Sequence, residues 1–284
     1  VVERVGFIGL GYIGEPMAKN LCGRFETVVY DLRDEAVQAL VEAGAKPAAS
    51  NREVGERCEV IGVCVIDDAG TEAVVAGDAG ILEGAAPDTV VAIHSTVHPD
   101  TVRRLAAQAR ERDVYVVDAQ MTGGPSVAAQ RKLRYMTGGD PAALERCRPV
   151  FETSASEIIH CGEVGMGALA KLCNNLARYT AWQGFIEADR LAAHAGLARE
   201  KLLEVLSWIM DDNARTMLAG RNALEADPDN QFLKDRFVPV MELAEKDLDL
   251  ALQVAREAGV SLPGAGLLAQ QMARVYGVPD PKRR

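Results

Sequence analysis

Gly6-Phe7-Ile8-Gly9-Leu10-Gly11-Tyr12-Ile13-Gly14-Glu15-Pro16-Met17 is the stretch that decides the fold. Val5 to Gly9 is a short apolar run of the kind that forms a buried strand, and Gly9-Leu10-Gly11-Tyr12-Ile13-Gly14 follows it directly and opens a helical pattern. In that setting each glycine has a mechanical use. Gly9 permits the tight turn, Gly11 lets the backbone approach a pyrophosphate, and Gly14 lets helix pack closely on strand, with the helix N-terminus facing the phosphates. Asp31 closes the next apolar run. A carboxylate there accepts hydrogen bonds from the adenine ribose hydroxyls and repels a 2′-phosphate, so NAD is favoured over NADP, and Arg33, two residues on, softens that choice. The competing reading, that the glycines only shape a sharp strand-to-helix turn, is weakened because strand, helix and acid occur together.

Further apolar runs continue the pattern: Thr27 to Asp31, Val60 to Ile66, Thr89 to His94, Val114 to Asp118, Leu133 to Thr137 and Glu157 to Cys161. Helical stretches separate them, among them Pro16 to Arg24, Asp34 to Ala43 and Pro99 to Arg112, and Asp140-Pro141 starts another with an N-cap and a Pro at the first helical position. Short, fully apolar strands alternating with helices predict a doubly wound α/β domain of the Rossmann type, its mainly parallel sheet covered on both faces. After Gly162, Ala, Leu and Met recur at helical spacing as far as Tyr276. The expected organisation is a dinucleotide-binding Rossmann domain over 1–162 and an all-α domain over 163–284. No proline interrupts Gly165 to Ala193, a rod of roughly 43 Å that is expected to join the two. Glu225 to Asn230 is the clearest break in the helical half.

Charge and composition exclude several classes. Among 284 residues, 31 Lys+Arg stand against 41 Asp+Glu, a net charge of −10 that repels phosphate backbones, and the only basic cluster is Lys282-Arg283-Arg284. Nucleic acid is not an expected partner. The apolar runs fall far short of the ~20 residues that span a bilayer, and the first residues carry an acid and glycines where a signal peptide needs a continuous apolar segment. Six cysteines without a Cys-x-x-Cys read as reduced core thiols, which fits the cytoplasm. The four histidines have no metal-ligand spacing, so no metal is expected, and Ser95 lacks the Gly-x-Ser-x-Gly elbow of a hydrolase. His94 and His98 flank Ser95-Thr96 and are read as loop residues near the cofactor; His160 and His194 are read as structural.

The chemistry-bearing segment is Gly162-Glu163-Val164-Gly165-Met166-Gly167, followed by Lys171, Asn174 and Asn175 on one helical face. Their neighbours Ala168, Leu169, Ala170, Leu172 and Cys173 are apolar, which predicts a helix buried nearly all round. Burial lowers a lysine pKa from ~10.4 toward ~7 to 8, where an amine exchanges protons as general acid and base. On patterning alone, a lysine that reaches out to water from the helix start is an equally open reading.

At this point the chain resembles the β-hydroxyacid dehydrogenases, typified by 3-hydroxyisobutyrate dehydrogenase and tartronate semialdehyde reductase and, more distantly, 6-phosphogluconate dehydrogenase. The resemblance runs over almost the whole chain. It rests on Gly6 to Leu21, Ser95-Thr96-Val97-His98-Pro99, Asp118-Ala119-Gln120-Met121-Thr122-Gly123-Gly124, Lys171 to Asn175 and Lys246-Asp247-Leu248. It implies Lys171 as proton donor and acceptor and Asn175 as its orienting partner, with Asn174 also facing the site. It further implies Thr122, Gly123 and Gly124 as binders of a substrate carboxylate. The cofactor contacts it implies, beside Gly9 to Gly14 and Asp31, are Val65, Ile66, Thr96 and Lys246. The activity implied is hydride transfer between NAD(H) and a small 3-hydroxy acid or its semialdehyde, in a homo-oligomer, dimer or tetramer, associating through the helical half.

The sequence departs from the family pattern at four places, one of them Val65-Ile66, where the family usually has Leu-Pro. Gln120-Met121 replaces Pro-Val and Thr122 a serine, which predicts a carboxylate pocket of different size or polarity. Gly70 stands where an asparagine is usual, removing a polar contact to the cofactor. Trp208 and Met210 to Asn213 occupy a stretch of usually small and serine residues. Two rivals are an imine reductase, which typically lacks the lysine, and a dinucleotide-binding protein without turnover; an intact Lys171 and Asn175 argue against both.

Overall fold

β1 (Arg4–Ile8) is buried from Val5 to Ile8 and pairs in parallel on both sides, so the first apolar run is the middle of a sheet. In the computed structural model, which describes residues 2–279, the remaining strands are β2 (Glu26–Tyr30), β3 (Lys46–Pro47), β4 (Val60–Val63), β5 (Val90–Ile93), β6 (Tyr115–Thr122), β7 (Leu133–Gly138) and β8 (Ala155–His160). Their spatial order is β3-β2-β1-β4-β5-β6-β7-β8. All pairs are parallel except β6 with β7. The chain winds outward from β1 through β2 and β3 and then crosses to β4 on the other side, so the order reverses between β1 and β4. In open α/β sheets such a switch point opens a crevice at the carboxyl ends of the strands, where ligands bind. The terminal cluster Lys282-Arg283-Arg284 lies outside the described residues.

Side-chain alternation along the strands builds a core on each face of the sheet. Phe7, Val60, Ala92 and Val117 pack with α1 (Gly14–Leu21) and, beyond α2 (Asp34–Glu42), with later helices on one face; Ile8, Ile61, Ile93 and Val116 pack on the other. That second core takes in α3 (Asn51–Arg57) and, beyond α4 (Asp68–Ala76), α5 (Ile81–Gly84) and α6 (Pro99–Arg110). α7 (Pro125–Ala129) follows β6, and α8 (Pro141–Phe151) is capped by Asp140, whose carboxylate accepts from the Ala142 and Ala143 amides. The chain forms two compact units, Val1–Lys171 and Leu172–Arg284, and α9 (Met166–Ala195) begins in the first and continues in the second. The second unit is helical: α10 (Arg199–Leu206), α11 (Asp212–Ala226), α12 (Gln231–Glu257), α13 (Pro263–Ala269) and α14 (Met272–Tyr276) enclose Trp182, Ile186, Leu218, Met241, Leu248 and Tyr276. Among the described residues no helix is long and apolar enough to cross a membrane.

Four features depart from the sequence reading. β6 runs on to Thr122 because antiparallel pairing with β7, from Asp118↔Gly138 to Thr122↔Arg134, extends the strand through residues expected in a loop. The two-residue β3, with Pro47 at the sheet edge where a missing N–H is tolerated, was not expected. All six cysteines are free, yet only Cys58 and Cys147 are fully buried, and Cys173 is exposed. His94 is a core residue, not a loop residue near the cofactor. Its ring stacks on Phe7 at 5.7 Å, meets Tyr135 and Phe151 edge-on, and its Nδ1 lies 2.8 Å from the Ala119 carbonyl. Gly62 makes the stack possible, since a Cβ there would stand 2.9 Å from the Phe7 ring and 3.0 Å from His94 Nε2.

Burial lowers the His94 pKa to about 4, against a backbone hydrogen bond that raises it. Because the folded value lies below the ordinary value near ~6.5, the neutral ring contributes its full stability above about pH 6.5 and loses it as pH falls toward 4. Between pH 7 and pH 5 the wild type is expected to lose about 2 kcal/mol more unfolding free energy than His94→Phe. Urea unfolding at the two pH values checks this; equal losses would contradict it.

Candidate active site

The glycine-rich turn lies at the switch point. Gly9 has φ +91°, and a side chain on it would run into the Cys64 carbonyl; one on Gly14 would run into the carbonyl of Gly9. At Gly11 a Cβ would meet nothing within 4 Å, the open approach a pyrophosphate requires. Leu10 and Gly14 are buried and Ile13 is half-buried, whereas Tyr12 is 61% exposed. Asp31 stands just past β2. Its Oδ2 accepts from the Leu10 amide at 2.6 Å, its Oδ1 accepts from the Arg33 amide at 2.9 Å and pairs with Arg33 Nε at 3.1 Å, and Arg33 Nη2 donates to the Leu10 carbonyl at 3.0 Å. Burial opposes ionisation of Asp31, but the hydrogen bonds from Arg33 and Leu10 outweigh it and hold the carboxyl below its usual range. The pair therefore grips both sides of Leu10, in the middle of the phosphate turn. Leu32 and Ile66, on the loops after β2 and β4, are exposed.

The loops after β4 and β5 are tied together, with Val65 N–H donating to Ser95 Oγ at 2.8 Å. Thr96, next in line, is half-buried. Gly70 lies in the first turn of α4, where its amide donates to the capping carboxylate of Asp67 at 2.8 Å. Gln120 is fully buried and its Nε2 donates to the Ser95 carbonyl at 3.0 Å, so the residue in place of the usual proline fastens β6 to the β5 loop. His98 caps α6, its Nδ1 accepting from the Asp100 amide at 3.2 Å.

β6 ends in Thr122, and Gly123 and Gly124 follow with φ of +140° and +83°, carrying the backbone into α7. One residue before Thr122, the Met121 carbonyl accepts a 2.8 Å hydrogen bond from Lys171 Nζ. Lys171 is half-buried. Its helix is not buried on every side as the apolar neighbours suggested: Ala168 and Leu172 are covered, Leu169 and Ala170 partly so, and Cys173 faces out, because three or four apolar residues in succession cannot all face one direction at 100° per residue. Asp118, four residues before Thr122, is fully buried, and its carboxylate accepts from the amides of Gly165 at 2.9 Å and Ala168 at 2.8 Å. Burial raises its pKa, and the backbone donors oppose the rise. The first unit thus brings together Gly9 to Gly14, Asp31, Val65, Thr96, Thr122 to Gly124 and Lys171 around the carboxyl ends of its strands.

Within the second unit Asn175 is buried and donates from Nδ2 to Asp247 Oδ2 at 2.6 Å. Tyr179 Oη donates to the same oxygen at 3.4 Å, and Lys246 Nζ lies 2.9 Å from Asp247 Oδ1. Asn174 is half-buried. Asp211 caps α11, accepting from the Ala214 amide at 2.7 Å, and Trp208 is 80% exposed. In the sequence Asp118 and Asp247 stand out only as members of motifs. The signal for Asp118 was the glycines of Gly162 to Gly167, which leave room for a distant carboxylate; for Asp247 it was an acid amid apolar residues at helical spacing.

Family models match both halves of the chain. Residues 4–162 match the NAD-binding domain of 6-phosphogluconate dehydrogenase, and residues 165–278 match the family described as NAD-binding of NADP-dependent 3-hydroxyisobutyrate dehydrogenase. An NAD-dependent L-serine dehydrogenase of Pseudomonas aeruginosa is 34% identical, covering 96% of this chain and 92% of its own. A 3-hydroxyisobutyrate dehydrogenase of the same organism is 32% identical over 97% and 93%. The structure of Mycobacterium tuberculosis 3-hydroxyisobutyrate dehydrogenase with L-serine superposes with a TM-score of 0.79 at 26% identity, covering 96% of this chain and 94% of that one.

Two glycine variants separate loop architecture from ligand access. Gly14→Ala is expected to lower both the melting temperature and NADH affinity, because the clash with Gly9 costs ~1 to 3 kcal/mol. Gly11→Ala is expected to keep the melting temperature and lose about tenfold or more in NADH affinity, measured by fluorescence titration. Unchanged affinity in Gly11→Ala would contradict the assignment of the turn.

Proposed function

Because the chain belongs to the β-hydroxyacid dehydrogenase family of NAD(P)-dependent oxidoreductases, we propose that it interconverts a small 3-hydroxy acid and its semialdehyde with Lys171 as general acid and base. The bound dinucleotide supplies the hydride acceptor or donor. The observation that carries the reading is the 2.8 Å bond from Lys171 Nζ to the Met121 carbonyl, on the strand that ends in Thr122, Gly123 and Gly124. In reduction the Lys171 ammonium gives a proton to the carbonyl oxygen; in oxidation the amine removes the hydroxyl proton. A carbonyl accepts an N–H from the ammonium and from the neutral amine alike, so the contact holds Nζ through the whole cycle. Thr122 and the Gly123-Gly124 backbone bind the substrate carboxylate, Asn174 faces it, and Asn175 orients Lys171 one turn along α9. Lys246 serves the cofactor, together with Val65, Ile66 and Thr96.

Asp31 favours NAD over NADP by accepting from ribose hydroxyls and repelling a 2′-phosphate, and its lowered pKa keeps it charged at neutral pH. The residues at 1–162 carry the cofactor and those at 163–284 substrate selection and self-association; exposed Leu191, Trp208, Ile209 and Phe232 in the helical unit support a dimer or tetramer. The L-serine named with two of the relatives makes β-hydroxy amino acids reasonable members of the substrate panel. Neither an imine reductase nor a protein without turnover draws support from relatives that are dehydrogenases.

Following NADH and NADPH absorbance with small hydroxy acids, semialdehydes and L-serine tests this directly. Lys171→Ala is expected to lose about 100-fold or more in kcat, the usual weight of a positioned acid and base. NADH is expected to outperform NADPH, and Asp31→Ala to narrow that ratio by roughly tenfold, the weight of one hydrogen bond to a charged group. Wild-type turnover in Lys171→Ala would refute the proton-transfer role, and a clear NADPH preference would refute the role of Asp31.

A further inference from the structure

We propose that Asp118 is a positioning residue for the reaction: its carboxylate caps α9 from across the first unit and so fixes where Lys171 stands. The inference rests on the reading of Lys171 as the proton donor. A helix begins with amides that have no partner inside it, and most helices answer them with a nearby side chain. Here α3, α4, α8, α11 and α12 are capped by Ser50, Asp67, Asp140, Asp211 and Asn230, each immediately before its helix. The residues before Met166 are Glu163, Val164 and Gly165, and the acceptor comes instead from β6, 47 residues from Gly165 and 50 from Ala168.

The surroundings are shaped to that carboxylate. Gly138 stands opposite Asp118 in the β6 to β7 register, and a Cβ on it would lie 2.7 Å from both carboxylate oxygens. A Cβ on Gly167, in the first turn of α9, would lie 2.8 Å from Oδ2. Two hydrogen bonds of 2.9 and 2.8 Å set the rotation and height of the first turn, and Lys171 follows Ala168 by three residues, about one turn. The far end of the lysine is then held by Met121, three residues beyond Asp118 on the same strand. One strand thereby grips the helix start through Asp118 and the side-chain tip through Met121. A helix free to turn by one residue would swing Lys171 by ~100° and break the second grip.

The test is Asp118→Asn, which keeps the shape but sets an NH₂ against one of the two amides. Turnover is expected to fall about 100-fold, the scale of an ångström of misplacement, while the KM for NADH and its fluorescence-measured Kd stay within about twofold. The pH profile of Lys171 modification by an amine-reactive dinitrophenyl reagent, read by peptide mass spectrometry, is expected to move as well. If the Asn variant does not fold, the smaller Asp118→Ser, which takes the carboxylate away from the Gly165 and Ala168 amides without adding bulk, is expected to give the same split. Unchanged turnover and an unchanged modification profile would overturn the role of Asp118 while leaving that of Lys171 standing. A parallel loss of turnover and NADH binding with a lowered melting temperature would also overturn it, since that is a purely structural effect. Wild-type turnover in Lys171→Ala would instead bring down the reading on which the inference rests.

Discussion

The hydrogen bond from the Lys171 side chain to the Met121 main chain gives the proposed chemistry its place. The acceptor belongs to a strand, whose carbonyls are fixed by the sheet, and the donor to a helix whose start is fixed by Asp118 on that same strand. Neither partner depends on a flexible loop. Precision of this kind matters because a general acid works only within hydrogen-bond reach of its proton's destination. The antiparallel pairing of β6 with β7 is what carries the backbone past the end of β5, so that Met121 and Thr122 stand at the carboxyl edge of the sheet.

The dinucleotide side follows a related logic. Asp31 and Arg33 form an ion pair that is largely exposed on the arginine side, and exposed pairs by themselves contribute little stability. Their use lies in the two bonds to Leu10, which fix the conformation of the phosphate turn before any ligand arrives. In the helical unit one buried carboxylate, Asp247, holds two side chains, Asn175 and Lys246.

Much of this was legible in the sequence because the signals are local. Gly9, Gly11 and Gly14 announce their turn by spacing, Asp140-Pro141 announces a helix start, and the proline-free stretch after Gly165 announces a long helix. What escaped depends on contacts between distant residues. The strand beyond Asp118 is specified by pairing with residues 134–138, and Gln120 and Met121 carry no mark of it. His94 looked like a loop residue because Ser95 and Thr96 follow it, whereas Phe7, Gly62 and Phe151 make it part of the core. Cys173 looked buried because its neighbours are apolar, yet its direction on the helix turns it outward.

The sharpest measurement is chemical rescue of Lys171→Ala by small primary amines, following NADH oxidation with a semialdehyde substrate. Proton donation by Lys171 predicts rates that rise with amine concentration and vary with amine pKa along a Brønsted line, at a constant KM for NADH. Rates indifferent to added amine, in a variant that folds and binds NADH normally, would contradict it.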